Sequence, residues 1–466
     1  MRQQAPIPTT ASRLLRRSIA AGVVAACLGL AANAAAQSDA NLVDVYEQAK
    51  ESDPVLRQAE ARYQAAQEAL PQARAGLLPQ LSGSAGYTWT SEETEYQRNA
   101  PDSDQDYTTL QYGLELRQPL FRWSTYKRLD QADASVAQAA ANFAAAEQDL
   151  MIRVSERYFG VLSAEYQLRV ARSRETAIER QLEQARQRFE VGLIARTSVE
   201  EAKARYDLAR ADVIAAENQV ASSRQALREL TGMPMGELAN IVDNVPLDRP
   251  EPNSAEAWSE TAQEQNWQLT AARRAAEAAM ANIGVQRGGH YPTLDLVGSY
   301  GVNERSDGQF STGTGTVETG TVDTTQAQVG VQLNVPIFSG GATSSQVRQA
   351  QYEYTGSREQ LEEVNRSVQR RTADAFRGVE SSILRAEALE QALVSTRAAL
   401  EAVEAGYEVG TRTIVDVLDA QNARFQAERD YQQALYDYLL NTLRLKLAAG
   451  TLSPEDLRAV SQKLSQ

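Results

Sequence analysis

The sequence is poor in the residues from which most reactive centres are built. Its 466 residues contain one cysteine, Cys27, and one histidine, His290. That excludes a disulfide framework and makes a Cys/His metal site or a His-based catalytic relay improbable. No nucleophile–base–acid arrangement stands out, and no cofactor motif is present. After residue 36 no segment approaches 18 consecutive apolar residues, so the mature chain has no membrane-spanning helix. Any part of it that enters a bilayer must do so as a closed β-barrel, the other structure that satisfies its own backbone in hydrocarbon. Positive charge is also scarce, with 47 basic against 61 acidic side chains. An acidic chain of this kind is a poor partner for nucleic acid or anionic lipid headgroups.

What is present begins with a leader. Arg2, Arg13, Arg16 and Arg17 form a positive stretch, residues 19–30 are apolar, and Ala34-Ala35-Ala36 offers a small-residue cleavage site before Gln37. This reads as a secretory signal peptide over 1–36. Val24-Ala25-Ala26-Cys27 loosely resembles a lipoprotein processing site, but 28–32 continue the apolar run. Without the four leader arginines, 43 basic and 61 acidic side chains leave a net charge of −18. Cys27 departs with the leader.

The mature chain states one plan twice. Leu78-Pro79-Gln80-Leu81 answers Tyr291-Pro292-Thr293-Leu294, and Gln118-Pro119-Leu120-Phe121 answers Val335-Pro336-Ile337-Phe338. Phe189-Glu190-Val191-Gly192 answers Tyr407-Glu408-Val409-Gly410, and Thr231-Gly232 answers Ala449-Gly450. The offset is 213 at the first pair, 217 at the second and 218 at the last two, which is duplication of a whole half. The expected divisions are a first repeat over 37–232, a proline-rich linker over 233–254, a second repeat over 255–450 and a C-terminal segment over 451–466.

Each half reads helix, strand, loop, strand, long helix, tight turn, helix. In the first, Leu129, Ala132, Val136, Ala139, Phe143, Ala146 and Leu150 recur at alternating spacings of three and four, the coiled-coil period. Val368, Ala375, Val379, Ile383, Ala386 and Leu393 continue the pattern in the second. The spacing predicts helices at about 122–190, 196–231, 342–408 and 413–449. A helix over 124–189 is roughly 100 Å long at about 1.5 Å per residue, so it must pack lengthwise against similar helices.

Four segments alternate with period two, at about 79–90, 108–120, 292–304 and 326–338. Leu81, Ala85, Tyr87 and Trp89 share one face of the first; Val329, Val331, Leu333 and Val335 share one face of the fourth. The alternate positions are mostly small or polar. Such segments fit the wall of a barrel in lipid, and the long polar stretches 90–106 and 305–325 fit its outward loops. Four strands cannot close a barrel, whose smallest examples need about eight. A membrane barrel must therefore be shared between copies of the chain.

The chain resembles the TolC family of trimeric outer-membrane channel-tunnels. The most specific match is Gly406-Tyr407-Glu408-Val409-Gly410-Thr411-Arg412-Thr413-Ile414-Val415-Asp416-Val417-Leu418-Asp419-Ala420. Leu77-Leu78-Pro79-Gln80-Leu81, Arg188-Phe189-Glu190-Val191-Gly192-Leu193 and His290-Tyr291-Pro292-Thr293-Leu294-Asp295-Leu296 add to it, and the likeness covers 41–457. The resemblance implies a mostly α protein with a membrane β-barrel, in which a homotrimer shares twelve strands and a twelve-helix periplasmic tunnel. It implies a belt formed by the linker and the C-terminal segment. It also implies periplasmic adaptor (membrane fusion) proteins and inner-membrane ABC or RND-type pumps as partners, with outer-membrane lipid around the barrel. Type I protein secretion, multidrug efflux or both would be the task.

The same resemblance assigns roles to residues. Asp416 and Asp419, three apart on a helix, would form two stacked carboxylate rings at the pore constriction. Such rings attract cations and repel anions, and crowding would raise some of their proton affinities. Arg412 and Tyr407 would hold the entrance shut against an acid that follows a threonine on the other hairpin. Here those positions are Thr197 and Ser198, so the carboxylate is missing, and Arg196 adds a cation. Arg412 would turn instead to Ser198, the Thr197 carbonyl, Glu200 or Glu201. Val191-Gly192-Leu193 and Val409-Gly410-Thr411 would be the adaptor-docking tips. His290 reads as a turn residue, and Trp89 and Trp123 as markers of the membrane interface or as buried packing residues. The competing reading is a periplasmic coiled-coil scaffold or adhesin stalk without a pore, which needs neither the four strands nor the aspartate pair.

Overall fold

The structure, a computed structural model, describes residues 40–94, 103–240, 245–312 and 315–464. The expected leader, with Cys27, lies outside them, as do Glu95 and Asp102 of the first polar loop. The chain is mostly helical, with one antiparallel sheet.

Three short helices come first: α1 (Leu42–Ser52), α2 (Pro54–Gln67) and α3 (Ala69–Ala75). Strands β1 (Gln80–Thr94) and β2 (Ser103–Phe121) follow, then α4 (Trp123–Glu190) and α5 (Arg196–Thr231). The second half repeats this as α6 (Ala255–Gln265), α7 (Trp267–Arg287), β3 (Thr293–Thr312), β4 (Gly315–Thr319), β5 (Val322–Asn334), α8 (Ala342–Glu408) and α9 (Ile414–Ala449), closed by α10 (Pro454–Ser461). At 68 and 67 residues, α4 and α8 are each roughly 100 Å long.

Each half contains a helix break before its strands, for one local reason. The Asp53 side chain accepts from the Leu56 N–H and caps α2, with Pro54 in the first turn. The Asn266 side chain accepts from the Gln268 and Leu269 N–H groups and caps α7. Both side chains supply acceptors for amides that have no partner inside the helix. Asp53 is nearly buried and receives two hydrogen bonds from the Arg153 guanidinium of α4, at 2.8 and 3.3 Å. Burial pushes its carboxyl up, but the bonds from Arg153 and the Leu56 N–H outweigh this and hold it below the ordinary value of 3.8. A lowered folded value means the stabilisation is complete above the unfolded value and lost as pH falls through the folded one. Asp53→Asn is expected to cost about 2 kcal/mol at neutral pH. The gap from the parent should narrow as pH falls below the ordinary value of 3.8 and close once the folded carboxyl is protonated, as read by thermal unfolding across pH.

The core lies midway along the helices. Leu150, Val154, Tyr158 and Val161 of α4 meet Val379 and Ile383 of α8 and Leu435, Leu439 and Leu443 of α9. The linker residues Leu238, Ala239 and Val245 and the C-terminal residues Leu457, Val460 and Leu464 pack onto the same cluster. Buried tyrosines pin the linker: the Tyr158 hydroxyl donates to the Ala239 carbonyl at 2.7 Å, and that of Tyr438 to the Asp248 carbonyl at 3.0 Å.

The four long strands pair in the order β1-β2-β3-β5, and β4 extends the outer end of β3. Strands β1, β2 and β3 run past the alternating segments to Thr94, from Ser103 and to Thr312, because antiparallel pairing continues into the polar loop residues. At the other end β5 stops at Asn334, and Pro336, just beyond, has no N–H to extend a ladder.

Candidate functional site at the sheet and the helix tips

The register decides what the sheet faces. Leu333 stands opposite Leu294, and Val331 opposite Leu296. Val329, Gly298, Leu116 and Leu81 form one row across all four strands, and Ala327, Tyr300, Leu114 and Gly83 form the next. Tyr112 pairs with Ala85 and Val302, and Leu110 with Tyr87. One face is therefore a largely apolar band, with Gln118 beside Leu296 and with Glu304 and Asp323 entering at the Tyr87–Leu110 row that ends it. Its side chains are bare: Val329 is 82% exposed and Leu81 68%. From the Leu333 row to the Tyr87 row is five steps of two residues, about 34 Å along a strand. At a tilt of about 40° that spans roughly 26 Å, close to the apolar band of an outer-membrane barrel. Aromatics border it: Tyr87, Trp89 and Tyr112 at one margin, and Phe121, Trp123, Tyr126 and Tyr291 at the other. The opposite face carries Ser82, Glu115, Ser299 and Gln328 in one row and Gln111, Asn303 and Thr324 in another. Strands β1 and β5 each leave one edge without a partner among the described residues.

The Arg122 guanidinium ties the sheet to the helices, donating to both oxygens of the buried Asp295 carboxylate at 2.8 and 3.1 Å. The Trp123 ring packs on Tyr291 with centroids 5.6 Å apart, and the Lys127 ammonium lies over it at 5.4 Å. His290 ends a single 3-10 turn between α7 and β3.

At the far end of the helices lie two hairpin turns. Gly192 has φ of 75° and Gly410 of 80°, left-handed conformations that end α4 and α8. The Leu193 N–H donates back to the Arg188 carbonyl at 2.9 Å and the Thr411 N–H to the Gly406 carbonyl at 2.8 Å, and the chain reverses over residues 191–195 and 409–413. Val191, Leu193 and Val409 stand 70–76% exposed at these apices.

Helix α9 begins just beyond the second turn. Thr413 caps it, and the Asp416 carboxylate accepts from the Thr413 N–H at 2.8 Å and from the Thr413 hydroxyl at 2.9 Å. Those bonds, with Arg412 nearby, hold the Asp416 carboxyl below the ordinary 3.8. Within one chain the shift is thus downward, opposite to the rise that ring crowding is expected to bring. Asp419, one turn on, accepts from the Arg205 guanidinium of α5 at 3.0 Å. The motif residues do not point to Arg205, and only packing of the two hairpins reveals it. Helix α5 lacks a capping box: its cap residue is Ala195, and Ser198 stands in the first turn at the position equivalent to Asp416.

Among the described residues Arg412 forms no hydrogen bond or ion pair with 196–201. Glu200 is instead 3.6 Å from Arg196 on its own helix. Tyr407 lies half-buried beside Ile178, Ala209, Ile414 and Leu418, with the Arg188 guanidinium 4.4 Å above its ring. Its hydroxyl is buried without a hydrogen-bond partner in the chain. A buried hydroxyl left so costs free energy. Among the described residues no group of side chains has the makings of a metal site, and no helix is long and apolar enough to cross a membrane.

A profile of the family described as "Outer membrane efflux protein" matches residues 45–233 and 258–451. Outer membrane protein TolC of Vibrio cholerae is 39% identical over 91% of this chain and 94% of its own. The alkaline protease secretion protein AprF of Pseudomonas aeruginosa is 30% identical over 90% and 86%. The crystal structure of the outer membrane protein VceC of Vibrio cholerae superposes with a TM-score of 0.71 at 22% identity, covering 88% of this chain and 96% of that one.

Proposed function

The chain belongs to the outer membrane efflux protein family, and from that premise we propose that three copies build a passive outer-membrane duct for type I protein secretion, multidrug efflux or both. The protein resides in the outer membrane. The observation that carries the duct is the bare apolar band flanked by two unpaired edges. An open edge in hydrocarbon leaves roughly half the backbone groups of a 15-residue strand unsatisfied, at several kcal/mol each, or tens of kcal/mol in all. Pairing β1 of one copy with β5 of the next removes both edges. Three copies give twelve strands with the apolar face in lipid and the Ser, Gln and Asn face in the lumen. A pore-free stalk explains neither face.

In this reading the helices continue as a periplasmic tunnel, and the segments 233–254 and 451–464 encircle its middle. The exposed tips Val191-Gly192-Leu193 and Val409-Gly410-Thr411 receive periplasmic adaptor proteins. An inner-membrane ABC or RND-type pump supplies the energy, and the duct only conducts. It performs no catalysis. The test is reconstitution: the purified protein should run as a heat-modifiable trimer and give single-channel currents in planar bilayers. A monomer that yields no currents would refute the duct.

Asp416 and Asp419 are read as the constriction. Helix α9 supports the first of these rings, because its N-terminal amides and dipole favour the ionised carboxylate. Tyr407 and Arg412 are read as the gate, with the exposed Arg412 guanidinium reaching acceptors on a neighbouring copy and Tyr407 packed behind it. Ser198 gives them only a neutral oxygen. A carboxylate there would bond more strongly by about 1 kcal/mol and would suit the uncapped start of α5. Ser198→Asp is therefore expected to favour closure about fivefold per chain, lowering open-channel occupancy roughly a hundredfold when three chains open together. Conductance equal to or above the parent's would show that the missing acid does not set closure.

A further inference from the structure

The Arg205–Asp419 pair has no counterpart in the lock that the family pattern implies. We propose that Arg205 determines both gating and ion selectivity at this entrance, by bolting the α4–α5 hairpin to α9 and by neutralising the inner carboxylate ring. The proposal rests on the duct reading above.

Three observations carry it. The first is position. Near the tips, α9 meets the α4–α5 hairpin through a small apolar cluster of Ile178, Ala209, Ile414 and Leu418. Arg205 lies one helical turn before Ala209, and Asp419 directly follows Leu418, so the ion pair closes the margin of that cluster. So small an apolar contact leaves the relative position of the two hairpins to be settled by the polar link beside it.

The second is vacancy in the expected lock. Ser198 brings no carboxylate, Glu200 is held by Arg196, and Arg412 reaches neither. Within the chain, the guanidinium that binds across the hairpins at the aspartate pair is that of Arg205, at 3.0 Å from Asp419.

The third is the division of labour between the two carboxylates. Asp416 is bonded to Thr413 at the start of its own helix and keeps its full charge. Asp419 is matched by a cation on another element. Threefold symmetry then gives one ring of three carboxylates and one ring of three neutral pairs, in place of six free charges. Asp416 sets the selectivity of the closed entrance, and Asp419 contributes only when the bolt breaks. Opening the entrance thus exposes more negative charge, and cation preference rises with conductance.

The magnitudes fit a latch. With side chains 41% and 58% exposed, the pair is worth about threefold in a closing equilibrium for one chain. Three chains opening together compound this to roughly thirtyfold. The latch is weak enough for a docked partner to break and strong enough to keep the resting entrance shut. It weakens as salt screens it.

The experiment is single-channel recording at about 0.1 M salt, where the Debye length is about 10 Å, on the full-length protein and four variants. Arg205→Gln and Asp419→Asn each break the bolt, so each should raise open-state occupancy by about tenfold or more. Their selectivities should diverge, with the cation-over-anion permeability ratio rising in Arg205→Gln and falling in Asp419→Asn. Arg205→Lys should stay near the parent. The exchange Arg205→Asp with Asp419→Arg should return occupancy to the parental level, which a merely structural role would not achieve. Parental occupancy in both single neutral variants, or an exchange variant as open as they are, overturns the proposal. Failure of the duct reading looks different: the parent itself then gives no currents. All variants should form the heat-modifiable trimer, since both residues are solvent-exposed; loss of the trimer in the neutral variants alone would assign the pair to assembly and overturn the gating role.

Discussion

Replacing Val329 by arginine is expected to abolish the outer-membrane trimer, whereas replacing its neighbour Gln328 by arginine leaves it intact. The two residues are adjacent in β5 and both stand opposite β3, Val329 at Gly298 and Gln328 at Ser299. They differ only in the face they occupy. Val329 belongs to a central row of the apolar band and is 82% exposed. Arginine at the middle of a lipid-facing strand costs about 2–4 kcal/mol. With one site in each of three chains the penalty is about 6–12 kcal/mol, comparable to the whole stability of an ordinary domain. Gln328 belongs to the row of Ser82, Glu115 and Ser299, where charge meets water. Gln328→Arg should assemble normally and shift ion selectivity toward anions. Heat-modifiable trimer bands and bilayer currents read both outcomes. Equal tolerance at the two positions would mean that the band does not face lipid.

The second large effect is expected at Gly450, which ends α9. Its φ is 80°, and a β-carbon there would lie 2.4 Å from the Gln265 carbonyl oxygen and 2.6 Å from the Asn266 α-carbon. These are backbone atoms of α6's end, which cannot move aside as a side chain would. The Gly450 and Leu452 carbonyls also accept from the buried Gln148 amide, each at 2.9 Å. Any shift of this turn therefore disturbs α4 as well. Gly450→Val is expected to cost about 4 kcal/mol or more, enough to remove folded protein from the membrane. Gly232 holds the same place in the first repeat, with φ of 72°, but its nearest neighbours are Ser52 side-chain atoms at 3.4 and 3.5 Å. Gly232→Ala should cost only about 1 kcal/mol. Unfolding in denaturant, with purified protein in detergent, gives both values. Similar losses at the two glycines would show that the close approach at Gly450 is unimportant.

How far the sequence discloses this molecule depends on the range of each interaction. The seams of α4 and α8 are legible because every third or fourth residue reports on one lengthwise contact. The strand faces are legible because Leu81, Ala85 and Tyr87 alternate with Ser82, Ser84 and Thr88 whatever their partners are. The register is not, yet it aligns four alternating strands into one largely apolar band. The break at Asp53 has a local signal, an Asp-Pro pair, but its anchoring by Arg153 spans 100 residues and has none.

The entrance divides the same way. The family motif locates Tyr407, Arg412, Asp416 and Asp419, and the missing acid at Ser198 is visible in it. It does not show that Asp416 is occupied by its own helix cap or that Asp419 faces Arg205, 214 positions earlier. Nor does it show that the Tyr407 hydroxyl is buried without a partner inside the chain. Those facts depend on how two hairpins far apart in the chain meet, beside the small cluster of Ile178, Ala209, Ile414 and Leu418, and no short run of residues reports it.

Whether neighbouring copies share the barrel wall is tested most directly by linking their edges. Beyond Cys27 the sequence contains no cysteine, so one introduced in β1, as Gly83→Cys, and a second scanned along residues 326–330 of β5 should find a position that oxidises between chains. The expected product is a covalent ring of three that survives denaturing electrophoresis without reductant and still conducts in bilayers. A mature chain that stays a stable, water-soluble single subunit, with no position along β5 linking to β1, would contradict the account at its root.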